Sequence, residues 1–384
     1  MAVGAAAIVC GTAGVAFGET PETSSSGAAS SGSAHQTHVA AETGVERLDD
    51  DYYATFSAKL GIDAPVPQLG CGDGGEDGSC DTRFRGQLQT PLRLRVIGGG
   101  QRDASMWRSR DWDEPGDYAK FVRHLEYGTS SDVFHAEAGE LGSVELGHGT
   151  IINHYHNVVT PDHHRLGLSV SWDGEPAGGT LLVNDLLRPA LIGARGYIRP
   201  GVVAGASRWW TRLSVGVSLV SDLSAPMTLA RDRRDAPVVG PASRPAVADR
   251  QPTVIGGLDV ELEAYRSEQL SITPYADINH HFGLGSGLHG GLSAEYSPAD
   301  PVVFSGRVEY RMLGEQYLPD YVGPLYEIDR YQLSGWGSLL PAPKLRIGAE
   351  TGRGQGLRHG GYVEATARLF EIVSVSGAFA DHEG

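Results

Sequence analysis

From Thr253 to Leu313 the chain reads TVIGGLDVELEAYRSEQLSITPYADINHHFGLGSGLHGGLSAEYSPADPVVFSGRVEYRML, four segments of about ten residues that alternate apolar with polar. The breaks between them are rich in Gly, Ser, Pro and Asp, so the period is that of strands with two different faces. Leu258, Val260, Leu262 and Ala264 share one face, and Asp259, Glu261, Glu263 and Tyr265 the other. In the last segment Phe304, Val308, Tyr310 and Met312 oppose Ser305, Arg307, Glu309 and Arg311.

The breaks themselves alternate in length. Short turns fall at 266–268, 297–301, 341–343 and 370–371, and wider ones at 281–286, 314–329 and 351–357. Alternating strands with short turns at one end and long loops at the other predict an all-β fold, a transmembrane antiparallel up-and-down β-barrel of about 14–16 strands. A soluble β-sandwich has the same period. Full charges of both signs on one face, against small and apolar residues with aromatics near strand ends on the other, favour a wet interior and a lipid-facing exterior. Strand backbones are satisfied in lipid only by a barrel.

Upstream, Arg85 to Val96 is the first confident strand, with Leu92, Leu94 and Val96 out and Arg93 and Arg95 in. A loop near 97–117 precedes a hairpin of Tyr118 to Tyr127 and Asp132 to Glu140. Strands then follow at 166–172, 180–186, 191–199 and 211–221, with Leu213, Val215, Val217 and Leu219 outward. Long loops are expected near 222–252 and 314–329. The stretch 141–156 reads as a strand end, a bulge or an inward-folded loop. Counting from Arg85 with short turns inside the cell envelope leaves an odd number of strands, so the barrel lacks its closing strand or takes it from Ala54 to Ile62.

Residues 1–18 form an apolar run ending Ala16-Phe17-Gly18 and read as a signal peptide. Residues 19–50 read as a Ser/Ala/Thr-rich disordered spacer, and 51–384 as the barrel. Cys71 and Cys80 bracket a Gly-rich loop and, in an oxidising compartment, read as one disulfide. The net charge of −16 excludes a nucleic-acid partner. The 53 glycines and 8% aromatics suit half-apolar strands.

The inward face supplies the candidate pore lining: Arg93, Arg95, Glu126, Arg195, Arg199, Asp259, Glu261, Asp277, Glu295, Arg307, Glu309, Arg311, Arg346, Glu364 and Arg368. These charges either line a water-filled pore or pair across the lumen and close it. His148, His154, His156, His163 and His164 cluster in sequence, but no acidic ligand is placed beside them, so neither metal nor cofactor is expected. No G-x-S-x-G, H-E-x-x-H or S-x-x-K set fits, so no enzyme is expected. Gly283, Gly285 and Gly287 read as a hairpin loop. Four tyrosines in Gly314 to Tyr331 mark either a ligand contact or packing of that loop on the barrel rim.

The stretches ELGHGTIINHYHN, HHRLGLSVSW, GGTLLVNDLLRPALIGARGYIRP and YLPDYVGPLYEIDRY resemble porin-like bacterial outer-membrane β-barrels, among them uncharacterised barrel proteins of myxobacterial type. The resemblance covers most of the chain after Tyr118 and implies an outer-membrane location, lipid and the barrel assembly machinery as partners, and a homo-oligomer as an open expectation. The expected function is a passive channel for small polar solutes. The alternatives are a closed structural or adhesion barrel displaying its loops and, behind it, an outer-membrane hydrolase.

Overall fold

The structure, a computed structural model, describes residues 5–10, 35–48, 51–69, 81–97, 106–108, 111–112, 115–159, 164–206, 208–238, 245–299, 302–332, 342–351, 354, 356–369 and 373–383. Its strands are β1 (Ala5–Cys10), β2 (Gln36–Leu48), β3 (Asp51–Pro67), β4 (Asp81–Ile97), β5 (Val122–Tyr127) and β6 (Phe134–Gly139). They continue as β7 (Gly167–Asp173), β8 (Ala177–Val183), β9 (Leu191–Ile198), β10 (Leu213–Leu229), β11 (Val247–Leu262) and β12 (Tyr265–Arg266). The last are β13 (Leu270–His281), β14 (Gly285–Ala299), β15 (Val302–Leu313), β16 (Arg358–Leu369) and β17 (Val373–Glu383). The short β12 prolongs β11, since both pair with β13.

From β2 to β17 each strand pairs antiparallel with the next, and β1 pairs with β17 through Ala5 opposite Ala380 and Cys10 opposite Val375. With β12 counted into β11, this is one up-and-down antiparallel sheet of sixteen strands among the described residues. Connections at one rim are mostly short (128–133, 174–176, 267–269, 300–301, 370–372), and those at the other are mostly long (98–121, 140–166, 230–246, 314–357).

The faces are inverted relative to a water-soluble sheet. On β10, Val215, Val217 (57% exposed) and Leu219 face out while Ser214, Ser218 and Asp222 are buried inside. Leu258 on β11 is 60% exposed and its neighbour Asp259 8%. Arg311, in the interior of β15, is 1% exposed between outward Tyr310 and half-buried Met312. Exposed apolar rows over a buried charged interior are unstable in water and stable in a bilayer, which defines an outer-membrane type of barrel.

Several expectations are corrected. The 19–50 spacer contains β2 over Gln36–Leu48, and the strand expected at 54–62 is the middle of the longer β3. Ala5–Cys10 pairs with β17 in this structure, which leaves the expectation of a signal peptide over 1–18 standing. The 222–252 loop shrinks to 230–246, because β10 and β11 stay paired past Asp222 through register shifts. Beyond the lipid band a hairpin needs no apolar outer face, so pairing persists where alternation ends. The strands implied on either side of 341–343 are instead helix α2 (Tyr326–Gln332) and helix α3 (Lys344–Thr351), α1 being the single turn Pro200–Val203. In α3 the Arg346–Glu350 pair (2.8 Å) has the i,i+4 spacing of a helix surface. Cys71, Cys80 and His163 lie outside the described residues.

Candidate functional site

The interior is shaped by the excursion after β6. Residues 141–157 fold into the lumen and meet a second excursion, 314–332, through Ile152 opposite Val322 in a parallel bridge. Asn153 N–H donates to the Val322 carbonyl (2.8 Å), and Val322 N–H to that of Ile151 (3.0 Å). Around this bridge Leu141, Leu146, Ile151, Ile152, Tyr155, Tyr321, Val322 and Tyr326 form an apolar core with wall residues Leu182, Leu191, Val220 and Ile255. The core therefore lies inside the barrel, and Tyr321 and Tyr326 of the second excursion are packing residues.

Gly149 permits the tight turn at the tip of the first excursion. Its φ is +72°, and a Cβ there would fall 2.5 Å from Arg307 Nη1. That clearance lets Arg307 reach across and donate to the His148 carbonyl.

Two histidines fasten this segment to the wall. His148 donates from Nδ1 to Asp277 Oδ1 (2.9 Å) and from Nε2 to Glu261 Oε2 (2.7 Å), and its ring stacks on Tyr275 at 4.0 Å. Thr150 donates to the other oxygen of Asp277 (2.7 Å). His154 donates from Nε2 to Glu364 Oε1 (2.5 Å) and faces Glu145 Oε1 (2.9 Å) and Ser143 Oγ (2.7 Å) with Nδ1. Burial disfavours charge on either ring, but the hydrogen bonds and charges of the paired carboxylates prevail, raising His148 to about 9 and His154 to about 10. Both rings are imidazolium at neutral pH.

The expected pore-lining residues divide into four groups. Arg195–Asp259 (3.0 and 2.5 Å), Arg307–Glu364 (2.9 Å), and Glu309–Arg311–Asp320 (2.6 and 2.9 Å) join Glu261 and Asp277 in a paired network under the inward segment. Arg93 bonds Glu46 (2.9 Å) and Asp111 (3.2 Å), while Arg95 meets Asp51 and Glu126 meets Arg85 on the β3–β5 wall. Arg199 pairs with Asp173, and Glu295 with Arg368, near the short-turn rim. Arg346 is on helix α3 and not on a wall strand, and pairs with Glu350. The inward segment's partners escaped sequence reading because they lie 113 and 129 residues from His148 and 210 from His154.

Beside the filled half, a cavity of about 530 Å³ runs along the inner wall of β2–β4. Glu42, Glu46 and Glu140 contribute acids to its lining, and Arg93, Lys120, Arg123 and His164 bases, with Val158 and Val159 from the end of the inward segment. A second cavity of about 390 Å³ near the short-turn rim is lined by Glu175, Arg199, Arg212, Glu261, Glu263 and Arg266 among others. Lys120 was a luminal candidate of the strand read at Tyr118 to Tyr127, whereas Glu42, Glu46, Arg123 and Glu140 were not singled out from sequence. Glu42 and Glu46 fell in the segment read as spacer, and Arg123 and Glu140 in the hairpin that follows.

No family model and no curated protein matches the chain. Among solved structures it is similar to a loop-deletion mutant of OmpT, an outer membrane protein of Vibrio cholerae (TM-score 0.28, 10% identity, 91% of this chain and 97% of that one). It is also similar to a mutant of Rh. blastica porin (0.27, 8%, 91% and 99%) and to Salmonella typhi OmpF in complex with daunomycin (0.28, 8%, 91% and 96%). The myxobacterial likeness finds no support in them. The barrel architecture rests on this chain's own strand pairing and inverted faces.

Proposed function

We propose that the protein lies in the bacterial outer membrane and passes small polar solutes passively through the charged cavity along β2–β4. The observation that carries this reading is the lining of that cavity, with acids and bases in one space of about 530 Å³. Polar side chains substitute for the hydration of a passing solute, and facing charges of both signs orient a dipolar one. The His148–Arg311 network acts as the fixed wall of this passage, because its charges are paired and shielded by the apolar core.

The test is single-channel conductance of the full-length protein in planar bilayers. Small discrete steps are expected, with cation preference rising when Lys120 and Arg123 are both replaced by Gln. A folded barrel that carries no current would sink the reading. It would then favour the second one, a closed barrel displaying its loops, which the packed core of both excursions supports.

A further inference from the structure

The inward segment also brings together metal-ligating side chains at the edge of the paired network. Oxygens of Glu145 and Glu364 and a ring nitrogen of His154 lie within 4.8 Å of one another. Glu145 is on the segment itself, and Glu364 is on β16. Of the two ring nitrogens, Nδ1 faces Glu145 Oε1 and Ser143 Oγ, and Nε2 faces Glu364 Oε1.

We propose that this is a site for a divalent transition-metal ion of the zinc class, bound by His154 Nδ1 and Glu145 and completed by water, with Glu364 holding the ring from behind.

The donor set selects the class of ion. Imidazole with carboxylate suits zinc and its neighbours, whereas calcium and magnesium prefer oxygen alone. Glu364 is placed as the supporting carboxylate of such a site. Its Oε2 accepts from Arg307 Nη2 (2.9 Å), Asn153 Nδ2 (3.1 Å) and the Tyr362 hydroxyl, which aims Oε1 at the ring. Gly147 and Gly149 take the segment's left-handed turns at φ +61° and +72°, yet Ser143 and His154 hold φ +59° and +47° with side chains that face each other. Such strain persists where a side chain's position matters. Glu145 is 40% exposed, so the ion enters from water. On binding, the Nδ1 proton leaves to solvent and the freed lone pair takes the metal.

His148, Asp259 and Asp277 form a group of similar span. There Arg195 already occupies both oxygens of Asp259, so that group stays an ion-pair cluster. The proposal is independent of whether the lumen conducts.

Calorimetric titration of zinc into the refolded full-length protein tests it, with far-ultraviolet dichroism confirming the fold of each variant. One equivalent is expected in the wild type, unchanged in Glu350→Gln on α3. Glu364→Gln should weaken binding about 10–100-fold, the usual effect of losing a supporting carboxylate. Glu145→Gln, at an accessible position that does not endanger folding, should weaken it at least about tenfold by removing a direct ligand. Absence of stoichiometric zinc in the wild type, unchanged affinity in Glu145→Gln, or equal loss in Glu350→Gln would each overturn the assignment.

Discussion

His148 is buried, and each of its ring nitrogens donates to a carboxylate on the barrel wall. Its charge is therefore stabilised more in the folded protein than in the unfolded chain. Because the folded pKa, about 9, lies above the unfolded 6.5, this contribution is complete below pH 6.5 and is lost as pH rises through 9. It amounts to about 3 kcal/mol at most, and His154 acts the same way up to about 10. Hydrogen exchange should show the amides of Ile151–Asn153 well protected at pH 6 and progressively less so between pH 7 and 10. Flat protection over that window would mean the histidines do not hold the segment. On the opposite face of the wall, Val217→Arg places a charge in the lipid band and should destabilise the folded barrel by about 2–4 kcal/mol, measured by reversible guanidinium unfolding in vesicles.

At the scale of elements, the inward segment decides how much of the lumen is open. A barrel of about sixteen strands is too wide for wall side chains to fill. The excursion 141–157 fills one side with an apolar core and paired charges, and leaves the β2–β4 side to water. Replacing 144–154 with a short Gly-Ser linker removes the bridge to Val322 and both histidine attachments. Such a variant should fold and show a several-fold larger single-channel conductance than the intact protein. An unchanged step size would show that the segment does not border the conducting path. The strands themselves were readable from alternation, as at β11 and β15, because lipid outside and water inside demand opposite chemistry at successive residues. Helices α2 and α3 were not, since a short piece packed over a rim owes its structure to tertiary contacts. Tyr326 and Arg330 of α2, for example, are held by Asp222 at the end of β10's membrane portion.

At the scale of the whole molecule, Ala5–Cys10 occupies the edge beside β17, where sequence reading found a strand missing and a signal peptide instead. These are alternative fates for one segment. Cleavage before Glu19 would leave fifteen strands. Intact-mass measurement of the protein from outer-membrane fractions is expected to find the chain beginning at Glu19. A mass that includes residues 1–18 would instead retain β1 as the sixteenth strand.

Where alternation is clean, as in β10, β11 and β15, sequence alone determined the side of the wall on which a residue lies, because period-two alternation reports directly on two solvents. Leu258 out and Asp259 in, or Tyr310 out and Arg311 in, follow from adjacent letters. It also supplied many of the charges that the structure pairs, such as Asp259, Arg307 and Glu309, while Arg346 lies on a helix that breaks the assumed strand register. What tertiary structure decided is which of those charges meet and what lies between them. Nothing near His154 names Glu364, 210 residues away, and nothing in the apolar letters of 141–157 says that they turn inward rather than out. Such partnerships depend on the curvature that brings β16 and the inward segment to one place. Curvature is a property of sixteen strands together and is written in no single stretch of them.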